Sequence, residues 1–316
     1  MPANARAAGR SGFEANCCSC EGCAECTFGL VRTEIDPTDR PVSMLQVTQA
    51  DVLESPFPHI VKQDIIDPVL FRELRADFPT SQGFQQQFDE TGTAGSRVGG
   101  FDIYRGDRAY DQLIAASPAW SKFDAYINSA SFVETFLDVF GDRLGALGCR
   151  VAVDPGRYQR DFVEAREVLT EKKTTGDMLS EIGFKLLGRG GSKAVDLFTR
   201  LDIEKSMGGY AKPPHCDRAN RLCSLIVYFT DTEAAGIVGG ELNVYAHKQK
   251  TVPADHERHP RPQDVSIVQM LKPRENLGVF FPCSNNSYHG VNAVETVGIA
   301  RDFLYINIST KAPICW

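Results

Sequence analysis

The chain has 316 residues, of which 42% are hydrophobic and 24% charged, a balance typical of a globular protein that can bury a full core. Its net charge of -7 at pH 7, without a basic stripe, argues against a nucleic-acid partner. No stretch approaches the roughly eighteen uninterrupted apolar residues that a membrane-spanning helix needs, and the N-terminus lacks the apolar segment of a secretory signal. We therefore predict a cytoplasmic protein with neither a nucleic-acid nor a membrane partner, and the sequence leaves its oligomeric state open.

Five of the ten cysteines crowd into residues 17–26. The regularly spaced members are Cys17, Cys20, Cys23 and Cys26. Their C-x-x-C-x-x-C-x-x-C spacing approaches the bacterial ferredoxin run but differs in the last gap and lacks its proline. Because cytoplasmic thiols stay reduced, we expect no disulfide framework. A small zinc-binding or redox-sensitive tail stays possible, but we favour a flexible Cys-rich extension over 1–40, followed by one folded domain over 41–316.

For residues 41–200 of this domain, the sequence predicts helices and loops that support the later β core. Asp67 is a predicted N-cap and Pro68 occupies the first helical turn, so a helix begins there. Ser131 and Glu134 have the spacing of a capping box at the start of a second, strongly apolar helix. Both helices are expected to pack an apolar face against the rest of the domain.

Two polar segments interrupt this support region. The stretch 89–107 is rich in Gly, Thr, Ser and Arg, and it predicts either a mobile flap over an active site or an exposed connection. The stretch 154–200 predicts an insertion, with a short helix over 162–169, because it has too few apolar residues for a core of its own.

After residue 201 the pattern changes to short β-branched and aromatic runs divided by Gly, Pro and Asn. These runs are 224–229, 241–245, 266–270, 277–281 and 303–308. Regularly spaced strands of this kind predict a two-sheet jelly roll. The expected fold class is α+β with a mainly β core, flanked by N-terminal helices.

One short motif carries the chemistry of this β region. His215 and Asp217 are two residues apart on an extended segment, so their side chains share one face, whereas Cys216 faces away. His289 follows a later apolar strand, and it completes a set of two histidines and one aspartate. That set is the facial triad of non-haem Fe(II) oxygenases, which leaves coordination positions open. The remaining histidines, for which we predict no ligand role, are His59, His247, His256 and His259.

The order of these residues along the chain resembles a known family. His215 and Asp217, the strand 224–229, His289 and then Arg301 are similar to the Fe(II)/2-oxoglutarate-dependent oxygenase superfamily, and most similar to its prolyl-hydroxylase-like branch. The resemblance implies a double-stranded β-helix as the jelly roll, over 201–316. It also implies a dioxygenase that hydroxylates an unactivated C–H bond and releases succinate and CO₂.

The resemblance further implies cofactors and their binding residues. His215, Asp217 and His289 would hold Fe(II), with 2-oxoglutarate as cosubstrate, O₂ as oxidant and ascorbate as activator. Arg301 would bind the C5 carboxylate of 2-oxoglutarate through a forked contact. Many relatives place a hydroxyl residue two positions later, where this chain has Phe303. The hydroxyl contact must then come from elsewhere, and the candidates are Tyr210 and Tyr228.

The substrate is less defined by the sequence. We expect a small molecule or a peptidyl group, with a small anionic or amino-acid-like compound favoured, and Arg97 and Arg105 are the candidates to bind its carboxylate. Two other functions stay open. One is a cupin-like metalloenzyme that does not use 2-oxoglutarate and would not need Arg301. The other is a non-catalytic iron or oxygen sensor with the Cys-rich tail as its partner-binding element.

Overall fold

The protein is described by a computed structural model. The described ranges are 43–85, 100–165, 193–249 and 257–316. The predicted Cys-rich extension, Arg97, His256 and most of the predicted insertion lie outside them. The boundary between extension and domain therefore stays a prediction.

Within these ranges the chain forms twelve strands. They are β1 (Ile60–Lys62), β2 (Gly100–Ile103), β3 (Val151–Ala152), β4 (Lys193–Ala194), β5 (Leu197–Ser206), β6 (Lys212–His215), β7 (Arg221–Tyr228), β8 (Leu242–His247), β9 (Val265–Leu271), β10 (Gly278–Pro282), β11 (His289–Val291) and β12 (Arg301–Thr310). All five strands predicted after residue 201 are present, as β7, β8, β9, β10 and β12.

The strands make two main antiparallel sheets. The larger has six strands in the order β1-β10-β7-β12-β5-β2, and the smaller has four in the order β6-β11-β8-β9. Strands β3 and β4 form a short parallel pair. The two main sheets are the walls of a double-stranded β-helix, so the predicted jelly roll is confirmed. We call the surface of the six-stranded sheet that faces the smaller sheet its inner face.

Both faces of the six-stranded sheet are buried. Leu225 and Val227 of β7 pack among the helices on the outer face, and Ile226 and Tyr228 pack on the inner face with apolar residues of the smaller sheet. Successive side chains of a strand point to opposite faces, which explains why β7 is a continuous apolar run in the sequence.

Four α-helices cover the outer face within the described ranges. They are α1 (Pro68–Ala76), α2 (Arg108–Ala116), α3 (Pro118–Ile127) and α4 (Ala130–Phe140). Asp67 caps α1 as predicted, since its carboxylate accepts hydrogen bonds from the amides of Val69 and Leu70. None of these helices is long and apolar enough to cross a membrane.

The predicted capping box at Ser131 is wrong. The N-cap of α4 is Ser129, whose backbone is extended and whose side chain accepts from the amide of Ser131. Helix α3 ends at Ile127, and α4 begins at Ala130. The backbone must leave the helical conformation in the short connection between them. Ser131 is therefore already inside the first turn of α4.

Two boundaries of the predicted support region also differ. The stretch expected as a flap contains β2 at its C-terminal end, and β5 begins at Leu197, before the expected start of the β core. Strands β1 and β2 occupy the two edges of the six-stranded sheet, so the support region adds strands as well as helices. Residues 162–165, the described part of the short helix predicted over 162–169, are not helical.

Phe280 joins the sheet to helix α4 and gives a test of this core. Its fully buried ring lies 5.3 Å from the ring centroid of Phe140 and 6.1 Å from those of Phe132 and Phe136. We predict that Phe280→Ala lowers the free energy of unfolding by about 3–5 kcal/mol, because it leaves a cavity among these rings. Urea unfolding measures this, with Val297→Ala, at an 84% exposed position, as the control. Equal urea midpoints for the two variants would contradict the packing of Phe280 against α4.

Candidate metal centre

Strand pairing brings the two candidate histidine ligands together. His215 is the last residue of β6, His289 is the first of β11, and the two are direct partners in the antiparallel ladder. Their ring centroids are 4.4 Å apart. Asp217 follows just beyond β6, with one carboxylate oxygen 3.9 Å from His215 Nε2 and the other 3.7 Å from His289 Nε2. The three side chains predicted from the sequence therefore converge.

Backbone carbonyls orient both imidazoles. Nδ1 of His215 lies 2.9 Å from the carbonyl oxygen of Pro213, and Nδ1 of His289 lies 3.1 Å from that of Ser287. A carbonyl only accepts hydrogen bonds, so each Nδ1 carries the proton and each Nε2 keeps its lone pair. Both free lone pairs face Asp217, which is the arrangement that a metal ion requires.

The protonation states also suit a metal. Burial lowers the pKa of His215 to about 3, with a further contribution from His289, and burial lowers the pKa of His289 as well. Burial raises the pKa of Asp217, but His289, Arg221, His215 and Ser224 outweigh it and hold that pKa well below its usual value. At neutral pH the site thus offers two neutral imidazoles and one carboxylate.

These groups fit Fe(II) in number and kind. The three ligand atoms all lie within 4.8 Å of one another, and across the described ranges no other set of three His, Cys, Asp or Glu side chains does so. Two imidazoles and one carboxylate on one side of an ion leave the opposite positions open, as non-haem Fe(II) oxygenation requires. The donor set therefore fits the metal expected from the sequence.

Arg258 holds the loop that carries Asp217. Its guanidinium donates to the backbone carbonyl of Asp217 through Nε and Nη2, to the carbonyl of Cys283 at 3.1 Å, and to the side chain of Asn285. Its own carbonyl accepts from the amide of Cys216 at 2.7 Å. One side chain thus ties together the two segments that supply the ligands. The sequence did not indicate this role, because Arg258 lies in a Pro-rich polar loop.

A second group of polar side chains contacts the Asp217 carboxylate directly. Ser224 Oγ donates to Oδ2 at 2.7 Å, and Arg221 Nη1 lies 3.5 Å from Oδ1. Arg221 also donates to the hydroxyl of Tyr305, which lies 3.0 Å from Ser224 Oγ. Sequence reasoning missed these residues. The sequence did contain a signal, because Arg221 and Ser224 are polar residues within the otherwise apolar strand β7. Buried polar groups need partners, so both could have been expected to contact another polar group.

Two buried cysteines flank the ligands without joining them. Cys216 packs with Tyr245, Val265 and Tyr288, away from the ligand atoms, as strand alternation predicted. Its thiol pKa is raised to about 12 by burial. Cys283 Sγ lies 3.7 Å from Asp217 Oδ2, and burial raises its pKa well above the usual value. Both thiols are therefore protonated and act as packing groups.

Arg301 is a buried cation on the inner face of β12. It is 1% exposed, and its guanidinium donates to Ser206 Oγ at 3.0 Å and to the carbonyl of Gly240. It makes no ion pair with any carboxylate in the described ranges. A buried charge without a counterion is costly, so this environment suits an anionic ligand.

Tyr210 and Tyr228 flank this cation. Their ring centroids lie 5.5 and 5.6 Å from the guanidinium carbon of Arg301, and both side chains are buried. Neither hydroxyl has a hydrogen-bond partner among the described residues. Burial raises the pKa of Tyr228 to about 12, so its hydroxyl stays a donor. The structure therefore brings together the three predicted 2-oxoglutarate-binding side chains.

Gly240 makes room for the guanidinium. A Cβ at this position would lie 3.1 Å from Arg301 Nη1 and 3.2 Å from Val294, and its φ of +80° belongs to the left-handed region. Both facts favour glycine, because other residues rarely adopt this backbone conformation.

The structure does not bring Arg105, the other described substrate candidate, to this centre. Arg105 donates to the carbonyl of Arg160 at 2.7 Å and lies 3.6 Å from Asp124 on α3. Neither partner is a candidate ligand. Of the histidines set aside, His259 stacks on His215 with ring centroids 6.2 Å apart, but it is absent from the converging group.

Comparison with known proteins agrees with this geometry. Residues 203–308 match the family model described as the 2OG-Fe(II) oxygenase superfamily. The match covers about a third of the chain, and it is this part that is similar to the superfamily. The matched range contains the two histidines and the aspartate of the metal centre, and it contains Arg301. The superfamily predicted from the sequence is thus confirmed. The comparison with curated proteins found no match.

Solved structures of oxygenases are also similar to this chain. The chain is 14% identical to a prolyl 4-hydroxylase of Phytophthora capsici, with a TM-score of 0.41, and the match covers 80% of this chain and 59% of that one. A Pseudomonas putida prolyl-4-hydroxylase is 12% identical, with a TM-score of 0.37 and coverage of 80% and 86%. A rice dioxygenase for auxin oxidation is 12% identical, with a TM-score of 0.39 and coverage of 79% and 72%.

Arg258 gives a test of how the ligand loop is held. We predict that Arg258→Met weakens metal binding by about 10- to 100-fold, because the Asp217 and Cys283 carbonyls lose the group that joins them. Titration with Co(II), followed by its visible absorption, measures the affinity. Arg261→Met is the matched control, since Arg261 is 74% exposed and pairs with Asp264. Equal affinities in the two variants would show that the loop needs no such support.

Proposed function

We propose that this protein is an Fe(II)/2-oxoglutarate-dependent dioxygenase that hydroxylates an unactivated C–H bond of an amino-acid-like or peptidyl substrate. In the balanced reaction, the substrate, O₂ and 2-oxoglutarate become hydroxylated substrate, succinate and CO₂. His215, Asp217 and His289 hold the metal, and Arg301 binds the cosubstrate. Superfamily membership of residues 203–308 supports the oxygenase class.

One observation carries the use of 2-oxoglutarate. Arg301 is a fully buried guanidinium that lacks a carboxylate partner in the described part of the chain, and it lies on the same sheet face as the contacts to Asp217. A cupin-like metalloenzyme that binds no such cosubstrate has no use for this uncompensated charge. A dicarboxylate that reaches from Arg301 to the metal supplies the missing anion and uses the open coordination positions.

In this proposal, different side chains bind the cosubstrate, hold the metal and exclude water. Arg301 offers a forked pair of donors to the C5 carboxylate, and the Tyr210 and Tyr228 hydroxyls are free to donate to the same group. The Fe(II) centre, when occupied, supplies O₂ activation and the oxidising power for C–H cleavage. The apolar residues of the inner face, among them Ile226 and Phe303, exclude water from this oxidant. Ser224 and Arg221 keep Asp217 ionised and correctly oriented.

The first test concerns the metal centre. We expect the wild-type protein, incubated with Fe(II), ascorbate and 2-oxoglutarate, to release succinate even without added substrate. His289→Ala should lose this activity and bind Fe(II) at least about 100-fold more weakly, because two protein ligands remain. Mass spectrometry of succinate and a chromogenic iron assay measure the two effects.

The matched control for this test is His247→Ala, which removes a histidine outside the converging group. Metal binding without succinate release by the wild-type protein would favour the iron or oxygen sensor. Wild-type succinate release by His289→Ala would show that the ligands are misassigned.

The second test concerns Arg301. Loss of one member of a buried charge pair costs about 3–5 kcal/mol, so Arg301→Ala should weaken 2-oxoglutarate binding by about 10²- to 10⁴-fold. Arg301→Lys should lose less, because it keeps the charge but not the forked geometry. The apparent constant for 2-oxoglutarate measures both effects, and Fe(II) binding should stay unchanged.

Arg72→Ala is the control, since Arg72 is exposed on α1. An unchanged constant for 2-oxoglutarate in Arg301→Ala would refute Arg301 as the cosubstrate-binding residue.

A further inference from the structure

A second polar region lies on the inner face, beyond the metal ligands. Asn307 of β12 is the direct ladder partner of Arg200 on β5 and of Ser224 on β7. Directly paired residues of an antiparallel ladder place their Cβ atoms about 4.5–5.5 Å apart on the same face. Ser224 donates to the metal ligand Asp217, so Asn307 and Arg200 are the next groups along the sheet from the metal centre.

This region lies on the opposite side of the ligands from Arg301. Arg301, Tyr305 and Asn307 all face inward, because they are an even number of residues apart on β12. The hydroxyl of Tyr305 contacts Ser224 Oγ, which donates to Asp217, so Tyr305 reaches the ligands from a position between Arg301 and Asn307. Asn307 is six positions after Arg301 on the strand, a distance of about 20 Å. A cosubstrate between Arg301 and the metal therefore leaves the Asn307 side for the substrate.

Two donors in this region make no hydrogen bond. Arg200 is 6% exposed and Asn307 is 0% exposed, yet Arg200 Nη1 and Asn307 Nδ2 make no hydrogen bond to any described residue. Asn307 Oδ1 accepts from Ser309 Oγ at 2.9 Å, which fixes the amide with Nδ2 on its other side. Buried donors are rarely left unpaired in folded proteins. Asn307 Nδ2 has no acceptor, and the carboxylate nearest to Arg200 Nη1, that of Glu164, lies 3.7 Å away, beyond hydrogen-bond distance. These two donors on directly paired residues indicate a binding site for an acceptor.

The surrounding charges decide which acceptor fits. Three carboxylates lie around the Arg200 guanidinium: Asp202 at 2.6 Å, Asp102 at 3.6 Å and Glu164 at 3.7 Å. A ligand with a net negative charge would meet these carboxylates as well as the donors. A ligand that also carries a positive group would have both of its charges compensated. The mixed signs of the site thus match a zwitterion.

We propose that Arg200 and Asn307 bind the α-carboxylate of a free amino acid whose α-ammonium group faces Asp202. This inference rests on the proposed function and narrows its substrate to a zwitterion. It replaces Arg105, which has its partners on the helical layer, as the carboxylate-binding residue. It also excludes the net anion that the sequence allowed.

The test compares four end-group forms of the same amino acids. Free amino acids are zwitterions, N-acetyl amino acids are anions, amino-acid amides are cations, and N-acetyl amides are neutral. Pools of the proteinogenic amino acids in each form are dialysed against the full-length protein with Mn(II) and 2-oxoglutarate. Mass spectrometry then identifies what the protein retains. We expect at least one free amino acid to be retained, with its three blocked forms each bound about tenfold more weakly or worse.

Variants then assign the binding to the two donors. Asn307→Leu keeps the branched shape of the side chain but removes Nδ2, and it should weaken binding of the retained amino acid by about tenfold or more. In a Ser309→Ala background, which already lacks the hydroxyl that donates to Asn307 Oδ1, Asn307→Leu should not lower the melting temperature further, because it then removes only a buried donor without a hydrogen bond. A merely structural asparagine would give the opposite pattern, with a lower melting temperature and unchanged binding. Arg200→Met should abolish retention of the free amino acid.

Thr199→Val is the matched control on β5. Thr199 neighbours Arg200 but faces the helices, where it bonds to Asn128 and Tyr158. It should keep the affinity of the wild-type protein.

Three results would overturn the proposal. They are retention of no free amino acid, tighter binding of any blocked form, and unchanged binding by Asn307→Leu. None of these results depends on succinate release. If the wild-type protein releases no succinate, the proposed function fails even where the amino acid binds. If succinate is released but Asn307→Leu binds as the wild type does, only the substrate assignment fails.

Discussion

The candidate metal centre depends on the pairing of β6 with β11. This pairing sets His215 against His289 across a ladder, and the rest of the centre is arranged around the two rings. Each ring is fixed by a carbonyl two residues earlier in its own segment, so orientation comes from local backbone and proximity from sheet pairing. A one-residue slip would turn one imidazole to the opposite face. The register of a short strand pair therefore decides whether the protein can bind a metal.

Charge on the inner face is divided into separate groups. Asp217 is matched by Arg221, and Arg200 by Asp202, whereas Arg301 has no carboxylate in the described ranges. Compensated pairs add little net attraction for an ion, because their fields largely cancel at a distance. The uncompensated guanidinium is then the strongest local attraction for an anion. This division is the basis for our proposal that a dianionic cosubstrate binds at Arg301 and a zwitterion at Arg200.

The features recoverable from the sequence were those with a local signature. The H-x-D spacing needs only strand alternation, and the apolar runs need only their composition, so both were predicted correctly. Arg258 was missed because its role depends on three groups contributed by distant segments. The Ser131 capping box failed because two serines compete within three residues, and the end of the preceding helix selects Ser129. The pairing of Arg200 with Asn307 joins strands a hundred residues apart, and no local pattern encodes it.

Strand β12 carries two inward-facing polar side chains, Arg301 at its start and Asn307 further along, on either side of the metal ligands. Its backbone pairs with β5 and β7 along nearly its whole length, so the spacing between Arg301 and Asn307 is fixed by residue count. Side-chain identity at the inner positions is not fixed by this ladder, because strand hydrogen bonds involve only the backbone. With the roles that we propose for Asn307 and Arg301, substrate preference can change by single substitutions at one end of the strand while cosubstrate binding is retained at the other. An insertion or a deletion between them would disturb both at once, so this strand should diversify by substitution and keep a constant length.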